Sequence, residues 1–121
     1  MPDPYNLERF VTAQAPVYAR VLEELRAGRK TTHWIWFIFP QAKGLGRSQR
    51  SQFYGIGSLD EARAYLAHPI LGPRLKECVD LVMSHEGVPL EHILGSVDAM
   101  KFLSCIELFS DASGGTDWMR A

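Results

Sequence analysis

Thr31-Thr32-His33-Trp34-Ile35-Trp36-Phe37-Ile38-Phe39-Pro40 is the stretch whose reading decides the fold. Its β-branched and aromatic side chains favour a short buried strand. The alternative is a short helix capped by Thr32 and ended by Pro40. A run of this length satisfies either period, so the flanking sequence must arbitrate.

Upstream the signals are helical. Asn6 is a good N-cap and places Leu7, Phe10, Val11 and Gln14 on one face. Pro16 suits the first turn of a second helix, in which Val17, Val21 and Leu25 recur beside Tyr18 and Leu22, and Gly28 fits its C-terminal cap. Downstream, the glycines between Gln41 and Arg47 mark a loop, and Ser48–Tyr54 reads as one or two helical turns before Gly55. Ser58-Leu59-Asp60-Glu61 matches a capping box, opening a helix that should stop before Pro69. Leu71, Leu75, Cys78, Val79, Val82 and Met83 then trace an apolar stripe ended by Gly87. Pro89–Leu94 reads as a short helix. Ser96 or Asp98 opens the last one, with Val97, Met100, Phe102, Leu103, Ile106 and Phe109 facing mainly inward. These segments, with at most one strand, predict an all-α domain of five to seven short and medium helices over residues 1–109, followed by a flexible tail over 110–121.

Size and composition agree with a single domain. The chain has 121 residues, 46% hydrophobic and 22% charged, which excludes wholesale disorder and gives enough length for a core without staples. The longest apolar run, Trp34–Pro40, is far short of the ~20 residues a membrane span needs. The N-terminus carries neither the basic nor the apolar region of a secretory signal, so a cytoplasmic location is expected. Cys78 and Cys105 sit in apolar helical patterns without C-x-x-C spacing and read as buried free thiols.

The net charge of −1 conceals an asymmetry. Six of the thirteen Lys and Arg (Arg26, Arg29, Lys30, Lys43, Arg47, Arg50) lie between Leu25 and Leu59, where there is no Asp or Glu. Seven basic residues remain elsewhere against all fourteen acidic ones, so the chain divides into a +6 stretch and a −7 remainder. The basic stretch also holds His33, Trp34, Trp36, Gln41, Gly44, Gly46, Gly55 and Tyr54. Cations, loop amides and aromatic faces together are what an anionic, ring-bearing ligand requires.

Other chemistry finds little support. His85 and His92 are seven apart across Gly87 and Pro89, which is not a helical metal-ligand spacing, and no cofactor or metal is expected. Neither cysteine has the electropositive, open surroundings of a nucleophile. Gly44-x-Gly46 lacks the remainder of a dinucleotide fingerprint or P-loop, and such glycines more often allow a tight turn. Asp98 and Lys101, three apart, share a helix face and read either as a surface pair or as pocket-lining groups.

Several strings resemble a known family. They are Asn6–Gln14, Thr32-His-Trp-Ile-Trp-Phe-Ile-Phe-Pro-Gln41, Gly44-Leu-Gly46 with Ser48 and Ser51, Tyr54-Gly-Ile56, Tyr65–Leu75 and Gly95–Phe109. Over roughly residues 6–109 the chain is similar to the helical proteins grouped as domain of unknown function 1810, sometimes labelled calpastatin without support from any motif here. The resemblance implies a mainly α-helical fold, and hence a short helix for the aromatic run, but no activity, cofactor or catalytic residue. It also implies a further helical segment after Leu108-Phe109, where this chain has the short, glycine-bearing Ser110–Ala121. Loss of such a segment would uncover an apolar strip and favour a homodimer.

The functional expectation is a site for an anionic, nucleotide-like or phosphorylated small molecule. Trp34, Gln41, Lys43, Gly46, Arg47, Ser51, Tyr54 and Lys101 would bind it, and His33 would carry any proton transfer. A nucleic-acid or protein adaptor using the basic face of residues 26–50 is the alternative. It is less favoured because no named nucleic-acid motif is present. The third reading is a purely structural domain whose motifs specify the fold.

Overall fold

The aromatic run resolves into a helix, and its burial pattern shows why. Trp34, Ile35, Ile38 and Phe39 are buried, while Trp36 and Phe37 are only half-buried. That is the i, i+1, i+4, i+5 signature of a helical face; a strand would have alternated. The helix lasts a single turn. Phe39 leaves it at φ −122°, ψ 72°, as the residue before a proline must.

The structure is a computed structural model that describes residues 3–115. Among those residues it contains eight helices: α1 (Glu8–Gln14), α2 (Tyr18–Ala27), α3 (Ile35–Ile38), α4 (Gln49–Phe53), α5 (Leu59–Ala67), α6 (Leu71–Met83), α7 (Leu90–Leu94) and α8 (Ser96–Ser113). The count exceeds the expected five to seven because pieces as short as α3, α4 and α7 each form a separate helix. The single extended pairing among these residues is a parallel bridge between Ala42 and Ile56.

Helix α8 is the spine, packed by α5, α7 and α3, while α6 lies against α2 and α5, and α1 covers α3. Aromatic rings lock these layers together. Phe10 meets Tyr65 edge-on at 5.1 Å, Tyr65 meets Phe109 at 5.2 Å, and Phe39 meets Phe102 edge-on at 4.8 Å. Gln14, fully enclosed, donates from its amide nitrogen to the Phe37 carbonyl at 2.7 Å and to the Tyr65 hydroxyl at 3.2 Å, tying α1 to α3 and α5. Cys78 and Cys105 are free and buried, as expected.

The caps are partly those expected. Gly28 ends α2 in the left-handed region, φ +73°. Ser58 Oγ accepts from the Glu61 N–H, but Glu61 turns away from the reciprocal half of the box. Its Oε1 accepts from the Gly57 N–H and its Oε2 pairs with Arg9. Asn6 is not the cap of α1. It stands at φ +51°, and the Asp3 carboxylate takes the Leu7 and Glu8 N–H groups instead, which lowers the Asp3 pKa. Pro16 stops short of α2, whose cap is Val17, and the Thr32 side chain caps nothing, its hydroxyl being committed to Glu24.

The face of α8 also needs correction. Val97, Met100 and Leu103, expected inside, are 65%, 72% and 55% exposed. Phe102 and Phe109 point inward as expected and Ile106 is half-buried, while Ala99, Cys105 and Ala112 take the other inward positions. Small side chains at Ala99, Cys105 and Ala112 let neighbouring helices approach closely, so the larger hydrophobes lie outside. The helix runs on past residue 109 to Ser113, where Gly114 caps it at φ +82°. The remainder of the expected tail, residues 116–121, lies outside the described residues.

Candidate functional site

Residues 41–56 form a loop closed at its base. The Lys43 N–H donates to the Ile56 carbonyl at 2.8 Å and the Ile56 N–H to the Gln41 carbonyl at 2.9 Å. Helix α4 stands inside this Ω-shaped excursion, capped by Ser48 Oγ, which accepts from the Ser51 N–H. Two glycines let the walls touch. A Cβ on Gly46 would come within 2.5 Å of Ser51 Oγ, and one on Gly55 within 2.7 Å of the Lys43 Cα. Gly46 is therefore required for close approach rather than for a turn of unusual φ.

A single arginine from outside the loop holds it in place. All five N–H groups of Arg9 are used: Nε donates to the Phe53 carbonyl, Nη1 to the Tyr5 and Asn6 carbonyls, and Nη2 to the Gly55 carbonyl and Glu61 Oε2. The guanidinium also lies over the Phe10 ring, 4.3 Å from its centroid.

Between the loop and α3 lies a narrow cleft of about 10 Å³, lined by Trp36, Gln41, Ala42, Gly46, Ser51, Tyr54 and Gly55. Ser51 Oγ is oriented by Ser48, 2.8 Å from its hydroxyl and 3.0 Å from its carbonyl. Tyr54 is fixed by its ring, packed on Phe10, Phe37 and Phe53. Neither the Gln41 amide nor the Tyr54 hydroxyl has a hydrogen-bond partner among the described residues. Two cations sit against Trp36, Arg50 at 5.0 Å from the ring centroid and Lys101 at 5.2 Å. No carboxylate of the described residues is within ion-pair distance of either.

Of the residues expected to bind ligand, the structure brings Gln41, Gly46, Ser51 and Tyr54 to one cleft; Lys101 is outside its lining and stands against the ring of the lining residue Trp36. The others lie elsewhere. Trp34 is buried, its indole N–H donating to Glu24 Oε1 at 3.1 Å, so the ring available to the cleft is Trp36. Lys43 faces a neighbouring hollow with Arg9, Gln52, Phe53 and Glu61. Arg47 is exposed and outside the cleft lining, its carbonyl accepting from the Gln52 amide. His33 is exposed and also outside the lining, so nothing in the geometry gives it a proton to move. Asp98 pairs with Lys30 at 2.8 Å rather than with Lys101.

Sequence reasoning did not single out Arg9 or Glu24, and it counted Trp36 and Arg50 in the basic aromatic stretch without naming them as binding residues. The Glu24 carboxylate is buried and takes four donors: the Thr31 and Thr32 N–H groups and the Trp34 indole on Oε1, and the Thr32 hydroxyl on Oε2. Burial alone would raise its pKa, but these hydrogen bonds outweigh burial and hold the carboxyl below its ordinary range. Thiol chemistry is remote from any site, since burial pushes Cys78 up to about 12 and Cys105 well above the ordinary thiol value. Among the described residues no group of three metal-ligating side chains converges, and no helix is long and apolar enough to cross a membrane.

An all-α single domain with a polar, cation-edged cleft beneath an Ω-shaped loop is thus the class of protein in hand. The chain matches the family described as protein of unknown function (DUF1810) over residues 4–121, and it belongs to that family. It is similar to the conserved hypothetical protein Rv1873 from Mycobacterium tuberculosis, whose crystal structure shares 53% identity and a TM-score of 0.93, over 97% of this chain and 84% of that one. No curated protein matches the chain.

Proposed function

We propose that the cleft binds the phosphoryl or other anionic group of a small molecule, nucleotides and sugar phosphates included. The observation that carries this reading is the pair of cations, Arg50 and Lys101, held at one half-buried indole without a carboxylate to neutralise them. Like charges held against one ring and left without a counter-charge favour capture of an anion. Beside them the Gln41 amide, the Tyr54 hydroxyl and Ser51 Oγ supply directional hydrogen bonds at the cleft wall. The cleft itself is only about 10 Å³, room for little more than one water-sized group, so it takes a single oxygen of the anion at most and the rest of the ligand lies at its mouth. The reading is one of binding: with His33 outside the lining, no residue is assigned to proton transfer.

Calorimetric titration with inorganic phosphate, nucleoside monophosphates, sugar phosphates and ADP-ribose tests it. Saturable one-to-one binding is expected, weakened about tenfold or more by Lys101→Ala or Arg50→Ala and a few-fold by Tyr54→Phe. The reading fails if no anion binds. It also fails if only nucleic acid binds, with losses spread evenly over Arg26, Arg29, Lys43 and Arg47; that would assign the basic face to polyanions.

A further inference from the structure

A second cavity lies between the C-terminal end of α6, the turn that follows it, and α8. Its volume is about 450 Å³, and Met83, Val88, Leu90, Phe102, Leu103 and Ile106 give it an apolar wall. Three of these are unusually open for their size: Met83 at 60%, Leu103 at 55% and Val88 at 42%. Exposed Met and Leu converging on one concavity mark a site that something apolar covers.

The neighbouring hollow indicates what that occupant carries. His85 and Val88 line both spaces, and beyond them the second is lined by Ala27, Gly28, Arg29 and His92. Arg29 has no carboxylate within ion-pair distance among the described residues. Two of the carbonyls at the end of α2 are already used. Glu24's accepts from the Arg29 N–H at 3.0 Å, and Leu25's accepts from Gly28 and lies 2.7 Å from His85 Nε2. Gly28 is itself fitted to the imidazole, where a Cβ would come within 3.2 Å of the ring, so the partition between the two spaces is fixed. Glu86 is the acidic residue on the apolar side, exposed at the rim.

We infer that this double cavity binds an amphipathic small acid, an acyl chain or compact apolar body in the α6–α8 groove with its carboxylate at Arg29 and His92. Apolar burial supplies the affinity and the cationic hollow selects the head group.

Titration of the 121-residue chain with decanoate, below its micellar concentration, is the test, with decanol as the uncharged comparison. One-to-one binding of decanoate is expected, about tenfold weaker for decanol and for Arg29→Ala. Leu103→Arg and Met83→Glu should abolish it, while Lys101→Ala, at the other site, should leave it unchanged. Both groove side chains are more than half exposed, so thermal unfolding should report folded variants. Equal binding of decanol and decanoate overturns the assignment of the head group. Absence of decanoate binding, with a sedimentation-detected dimer that Leu103→Arg dissolves, overturns the proposal and gives the face to a second copy of the chain.

Discussion

Trp34 and Trp36 stand two residues apart on one helical turn, and each has a lysine about 5 Å from its ring. Around Trp34 every charge is answered. Lys30 pairs with Asp98, Glu24 takes four donors including the indole N–H, and the ring is 1% exposed. Around Trp36, Lys101 is joined by Arg50, and no acid of the described residues meets either. The same residue types thus build a closed structural joint on one side and an open, electropositive edge on the other. What separates them is the presence of a counter-charge rather than the aromatic or the cation.

Substitutions at the two tryptophan sites sharpen this contrast. The largest expected loss follows Glu24→Ala, which strands the buried Trp34 indole N–H, the part-buried Thr31 and Thr32 N–H groups and the Thr32 hydroxyl. Unfolding in urea should show about 3 kcal/mol or more of destabilisation. Its pH dependence has a fixed sign. The folded pKa of Glu24 lies below its ordinary 4.5, so the stability it lends is complete above that value and disappears as pH falls through the folded one. Acidification should therefore cost the native chain more stability than it costs Glu24→Gln.

Next comes Arg9→Lys, which keeps the charge but not the five-donor fork. A loss of about 2 kcal/mol is expected, with hydrogen-exchange protection falling first at the Lys43 and Ile56 amides that close the loop. Gly46→Ala drives a methyl into Ser51 and should cost about 1–2 kcal/mol while weakening phosphate binding in titration. Smallest is Lys101→Ala, expected to change stability by less than about 1 kcal/mol, read as a near-unchanged thermal midpoint. If Lys101→Ala instead destabilised the chain as much as Glu24→Ala, the Trp36 side would be a structural joint too, and the contrast would break.

How legible each part was depends on the range of the interactions that made it. Helices α2, α5 and α6 were readable because their apolar periods and their local caps, Gly28 and Ser58, act within a turn or two. The aromatic run was not, because four helical residues contain too little period, and packing of Ile35 and Ile38 into the core chose the helix. The outward face of α8 was misread for a related reason. Val97, Met100 and Leu103 are larger hydrophobes than Ala99, Cys105 and Ala112, yet close helix packing selects for small size. At the cleft, Gln41, Gly46, Ser51 and Tyr54 were visible as polar and glycine positions within one basic segment. Arg9, which reaches that segment from 44 and 46 residues away, carried no local signal.

The sequence by itself determined an all-α chain, the positions of its main helices and a +6 segment set against a −7 remainder. Only the tertiary structure decided which of the chain's cations meet a carboxylate and which do not. Lys30 is neutralised by Asp98, 68 positions away, whereas Arg50 and Lys101 are brought to Trp36 without an acid. Neutralisation falls off over a few ångströms in space and is blind to separation along the chain, so composition can count charges but only the fold can pair them.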